Sequence, residues 1–135
     1  MQQPYMLIAE DDQDDQFLLN AAFRESRLAV SVQFVQNGKE VLSFLDGITD
    51  NCRLPDLIVL DLNMPLLDGR ETLLRLKSCA RYNNIPVIIL TTSLSEKEKA
   101  DCLRLGAANF LFKPPGYEKI LNTARYLYEL SGAAC

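Results

Sequence analysis

Residues 56–69 read Asp56-Leu57-Ile58-Val59-Leu60-Asp61-Leu62-Asn63-Met64-Pro65-Leu66-Leu67-Asp68-Gly69, and this stretch decides the fold. An unbroken aliphatic run between two aspartates reads as a strand buried on both faces. Met64–Pro65 and Asp68–Gly69 then punctuate the chain before a helix that carries Leu73, Leu74 and Leu76 and ends at about Cys79. Downstream, Pro86 introduces Val87–Ile88–Ile89–Leu90, a second fully apolar strand. Ser95 with Glu98 three residues on looks like a capping box, opening a helix that stops near Gly106. Asn109–Phe112 is a further strand, ended by Lys113–Pro114–Pro115, and the last helix runs from about Tyr117 to Leu130.

Upstream, Tyr5–Ala9 is a short apolar strand that ends in Glu10 and Asp11. A helical pattern follows from Asp14 to about Ser26, and Val30, Val32 and Phe34 alternate with polar neighbours as a half-buried strand. Asn37–Gly38 opens a helix carrying Val41, Leu42 and Leu45, and the polar stretch 46–55 is read as a loop. Strands thus alternate with helices five times. Apolar strands separated by helices predict an α/β fold, a doubly wound (βα)₅ parallel sheet covered on both faces.

The 135 residues suit one domain, taken as 1–135, and at 48% hydrophobic and 24% charged they can bury an ordinary core. A net charge of −4 argues against nucleic acid or an anionic membrane as a partner recruited by bulk charge. Cys52, Cys79, Cys102 and Cys135 form no C-x-x-C pair and read as reduced thiols of a cytoplasmic protein. The N-terminus has no basic region and its apolar run ends quickly in acid, so neither a signal peptide nor a membrane span is expected. Histidine is absent, which removes Ser–His and Cys–His catalysis; any phosphohistidine must come from another protein. The glycines form neither a P-loop nor a dinucleotide fingerprint.

In an open α/β sheet, ligands bind beyond the carboxyl ends of the strands. Those ends carry Glu10 and Asp11 after the first strand, Asp61 after the third, Thr91 and Thr92 at the fourth and Lys113 after the fifth. Two carboxylates about 4 Å apart repel by ~4 kcal/mol at an effective dielectric near 20, so a cluster of three calls for a cation. An oxygen-only set selects a hard divalent ion such as Mg²⁺. Asp61 can then act as a nucleophile toward phosphorus, with Lys113 and Thr91 on the transferred group. Taken singly, Asp12, Asp14 and Asp15 are cap and first-turn residues and Asp68 is a turn or N-cap residue. The joint placement at successive strand ends is what points to a site.

LIAEDD (7–12), LIVLDLNMPLLDG (57–69), PVIILTTS (86–93) and GAANFLFKP (106–114) together resemble the response-regulator receiver domains of two-component signalling, over about Tyr5 to Leu130. The resemblance implies a flavodoxin-like sheet of order 2-1-3-4-5. It implies Asp61 as phosphoacceptor, and a Mg²⁺ or Mn²⁺ site of Asp11, Asp61, the Asn63 backbone carbonyl and, through water, Glu10. Thr91 matches the switch hydroxyl, Lys113 the phosphate-binding lysine and Phe110 the switch aromatic, and the Lys113–Pro114 bond is expected to be cis. Glu10 stands where Asp is commoner, Thr92 where many relatives carry a smaller residue, and Phe110 lacks a tyrosine hydroxyl.

The function implied is a phosphoacceptor switch served by a sensor histidine kinase or histidine phosphotransfer protein, with no turnover of an external substrate. With only a short tail after the last predicted helix, the chain is expected to be of the stand-alone type. Its output is then a protein target, or a self-dimer, contacted through the face of the fourth helix, fifth strand and fifth helix. Against a Mg²⁺-dependent phosphohydrolase stands Asn63, where that chemistry uses a second aspartate; against a phosphate-free interaction module stands the full Asp11, Asp61, Thr91 and Lys113 set.

Overall fold

The computed structural model describes residues 3–133, so Cys135 lies outside the described residues. Its elements are β1 (Tyr5–Ala9), α1 (Gln13–Glu25), β2 (Ser31–Val35), α2 (Gly38–Asp46), β3 (Leu57–Leu60), α3 (Gly69–Lys77), β4 (Val87–Thr91), α4 (Glu96–Leu105), β5 (Asn109–Phe112) and α5 (Tyr117–Ala133). The strands pair in parallel in the order β2-β1-β3-β4-β5, the expected doubly wound, flavodoxin-like sheet. The 46–55 stretch holds a short 3₁₀ turn, Asn51–Arg53, capped by Asp50. Among the described residues no helix is long and apolar enough to cross a membrane.

Strand periodicity divides the core into two layers. Leu7, Ile58, Leu60 and Ile89 point to one face, where Val41 and Leu45 of α2, Leu73 and Leu76 of α3 and Cys102 of α4 cover them. Met6, Ile8, Val59 and Ile88 point to the other, against Leu19, Ala22 and Phe23 of α1 and Ala124 and Leu127 of α5. Because both faces are covered, β3 and β4 are apolar at every position up to Thr91 at the carboxyl end of β4, which is why they read as unbroken runs.

Helix starts at the carboxyl edge of the sheet are fixed by short polar caps. Asp12 accepts from the Asp14 and Asp15 N–H groups, and Asn37 from Glu40. Asp68 accepts from Glu71, and Ser95 from Glu98, each satisfying a donor that has no partner within its helix. The Ser95 box is half formed: the Ser95 N–H goes to Ser93 Oγ at 3.2 Å instead of to Glu98. The left-handed Gly106 (φ 111) ends α4 as its sequence position predicts.

Candidate phosphoacceptor and metal site

The sheet ladder itself assembles the acidic pocket. Ala9 and Leu60 are register partners, and the Asp61 N–H continues that ladder to Ala9 O at 3.2 Å. On the other side of β1 the Glu10 N–H donates to Val35 O at 2.9 Å. Residues 10 and 61 are thereby the next rung after two central strands, held in register by backbone bonds. Glu10, Asp11 and Asp61 each offer a carboxylate oxygen within 4.8 Å of the others. Glu10 and Asp61 are buried and Asp11 is exposed, so the cluster opens to solvent on one side.

Lys113 enters from the far edge of the sheet. Its N–H donates to Thr91 O at 2.7 Å, carrying the β4–β5 pairing one residue past β5 and aiming the side chain across β4 and β3. The Nζ lies 2.8 Å from Asp61 Oδ2, 3.0 Å from Asp15 Oδ2 and in contact with Glu10 Oε1. Glu10 Oε2 accepts the Asp12 N–H at 3.1 Å, and Asp61 Oδ1 the Asn63 N–H at 3.3 Å. Thr91 is fully buried, its Oγ1 accepting the Ser93 N–H at 3.2 Å, while Phe110 packs into the core layer beneath α4.

Electrostatics follow from that packing. Burial pushes the Glu10 carboxyl up to about 7 against the pull of Lys113 and the Asp12 N–H, with Asp61 adding to the rise. Lys113 moves upward although burial opposes it, because Asp61, Glu10 and Asp15 all bond to its ammonium. Three oxygen donors, one of them driven toward protonation, are a set that could hold a hard divalent ion. The Glu10 shift has a signed consequence for the metal-free protein. A carboxyl whose folded pKa is raised favours the native state below its unfolded value of 4.5 and loses that contribution as pH rises to about 7. In chelator, the stability of the native chain relative to Glu10→Gln is therefore expected to fall across that window. A urea-midpoint series from pH 4 to 8 reads it; a flat difference would mean that Glu10 does not titrate there.

Glu10, Asp11, Asp61 and Lys113 are thus brought together as their strand-end positions predict. Asn63 contributes its N–H to Asp61, and Thr91 faces the turn after β4. One expectation fails. The Lys113–Pro114 bond is trans, since no cis peptide occurs among the described residues. Trans is the lower-energy isomer of an X–Pro bond, and a residue before proline prefers the extended backbone in which Lys113 continues the ladder. Asp15 is the participant that the sequence reading left among first-turn residues. No local signal marks it, because its place in the first turn of α1 is one that the helix dipole alone favours for an acid.

A family model described as response regulator receiver domain matches residues 6–125. The probable methanogenesis regulatory protein FilR2 of Methanothrix harundinacea is 30% identical over 125 residues, 92% of this chain and 81% of that protein. Response regulator Rcp1 of Synechocystis sp. is 35% identical over 95 residues, 69% of this chain and 65% of Rcp1. Among solved structures, the phosphorylated cyanobacterial phytochrome response regulator RcpA superposes with a TM-score of 0.86 at 27% identity, over 98% of this chain and 96% of RcpA. The Mn²⁺-bound form of Rcp1 gives 0.80 at 29% identity, over 91% of this chain and 90% of that one.

Proposed function

The chain belongs to the response regulator receiver domain family, and on that premise we propose that Asp61 accepts a phosphoryl group from a phosphohistidine on another protein. The donor is a sensor histidine kinase or a histidine phosphotransfer protein. The observation that carries this reading is the Asp61 carboxylate, 2.8 Å from the Lys113 ammonium and within ligand reach of Glu10 and Asp11. In the transfer, an Asp61 oxygen bonds to phosphorus as the P–N bond to the donor imidazole breaks, and the leaving ring nitrogen keeps the electron pair. Lys113 shifts its hydrogen bonding from carboxylate to phosphoryl oxygen, and Thr91 donates its hydroxyl to a second one.

Glu10, Asp11 and Asp61, with the Asn63 carbonyl, would hold Mg²⁺ or Mn²⁺, an ion that supplies Lewis-acid neutralisation of the phosphoryl oxygens. A relative solved in an Mn²⁺-bound form supports that choice. Movement of Thr91 toward the phosphoryl group vacates space into which Phe110 turns, altering the α4–β5–α5 face. Leu103 and Phe112, large apolar side chains exposed on α4 and β5, support that face as the contact for a protein target or a second copy. The whole of 1–135 acts as one such switch, with no external turnover. The free thiols at Cys52, Cys79 and Cys102 fit a reducing, cytoplasmic location.

The test is labelling with a small-molecule phosphodonor and Mg²⁺. The native chain is expected to take up one hydroxylamine-sensitive phosphoryl group and Asp61→Asn none. Undiminished labelling of the variant would move the acceptor elsewhere.

A further inference from the structure

We propose that Asp15 is a positioning residue for this phosphoryl transfer, holding the Lys113 ammonium on the α1 side of the pocket and setting how much of its charge reaches Asp61. The inference rests on the reading of Asp61 as phosphoacceptor. An ammonium has three N–H donors, and in this pocket three carboxylates share them. Asp61 and Glu10 are buried, whereas the Asp15 side chain is 38% exposed and comes from a helix, not from a strand end.

The helix cannot drift away from the pocket. Asp12 Oδ1 accepts the Asp14 and Asp15 N–H groups at 2.9 and 3.3 Å, and Gln16 Nε2 donates to the Glu10 carbonyl. The Asp15 backbone is therefore tied to the segment that carries Glu10. Lys113 must release one carboxylate before a phosphoryl oxygen can take an N–H in its place. Asp15 is the partner to be released: at 3.0 Å its bond is longer than that of Asp61, and solvent replaces the lost contact. Glu10 and Asp61, being buried, have no such replacement. Before transfer Asp15 keeps the lysine aligned; afterwards its charge competes with the phosphoryl group for the same ammonium.

The experiment measures beryllium trifluoride, a phosphoryl mimic, binding to the full chain in saturating Mg²⁺. Asp15→Asn removes the competing charge and is expected to bind about two- to fivefold more tightly, the scale of a half-exposed ion pair. Asp15→Glu keeps the charge and is expected to restore the native affinity. The gain is expected to shrink as salt rises, because an exposed charge is screened. The Lys113 ammonium nitrogen resonance of the mimic-free protein is expected to move in Asp15→Asn and to return in Asp15→Glu, which a merely structural change in α1 would not produce. Unchanged or weaker binding by Asp15→Asn, or an Asp15→Glu variant that behaves like it, overturns the proposal while leaving Asp61 as acceptor. Failure of the native chain itself to bind the mimic overturns both.

Discussion

Gly69→Ala is expected to destabilise the fold by about 3 kcal/mol, the upper end of the usual range for overpacking, and to slow phosphoryl uptake on the order of a hundredfold. A Cβ at Gly69 would lie 2.1 Å from the Asp61 carbonyl oxygen, 2.8 Å from its carbon and 2.9 Å from Leu62 Cα. All three are backbone atoms of the segment that presents the proposed nucleophile, so no rotamer relieves the clash. The Gly69 N–H also donates to Leu62 O at 3.1 Å, locking the start of α3 onto that segment. Either α3 withdraws, uncovering Leu73 and Leu76, or the Asp61 backbone yields and its carboxylate leaves Lys113. Gly116→Ala is the control, since a Cβ there meets nothing within 4 Å, and it should fall within about 0.5 kcal/mol of the native chain. Urea midpoints and the rate of labelling by a small phosphodonor read both effects. Equal stability of the two variants would show that α3 can sit back without cost.

The two glycines also show where sequence stops being informative. Asp68–Gly69 reads as turn and N-cap chemistry, and Asp68 does cap α3. Nothing local says that the glycine is required by a backbone eight positions earlier in the chain. The strands were legible because β3 and β4, buried on both faces, are apolar up to Thr91 at the end of β4, and that pattern survives without tertiary knowledge. The acidic cluster was legible for a related reason: β1 and β3 are adjacent, and acids at both their ends must meet. Asp15 was not, because its helix position is satisfied by capping and dipole effects alone, and its lysine lies 98 residues away. The isomer of Lys113–Pro114 was equally hidden, because for X–Pro bonds the two forms differ by only about 0.5–1 kcal/mol and surroundings decide between them. Chemistry carried by strand ends could be read, and chemistry carried by long-range pairing could not.

That same lysine gives the other large expected effect. Lys113→Met keeps the aliphatic stem but removes the cation from a pocket where its side chain is 14% exposed and bonds to Glu10, Asp15 and Asp61. Stripping one partner from a buried ionic group is far costlier than the group is worth intact, because the charges left behind are desolvated and unpaired. In chelator at pH 8 the variant is expected to lose about 2–4 kcal/mol. The loss should shrink as pH falls from 8 toward about 7, because without the pull of Lys113 the Glu10 carboxyl takes up its proton above the value it has in the native chain, and that removes one of the unpaired charges. Mg²⁺ offers a different source of positive charge to Glu10, Asp11 and Asp61. Saturating Mg²⁺ is therefore expected to raise the urea midpoint of Lys113→Met more than that of the native chain, a linkage effect that grows with the affinity for the folded state. Phosphoryl uptake should stay impaired even then, since a cation bound by the carboxylates cannot replace the N–H that Lys113 is proposed to give the phosphoryl oxygen. Equal Mg²⁺ responses in the two proteins would mean that the carboxylates left by Lys113 do not form the metal site.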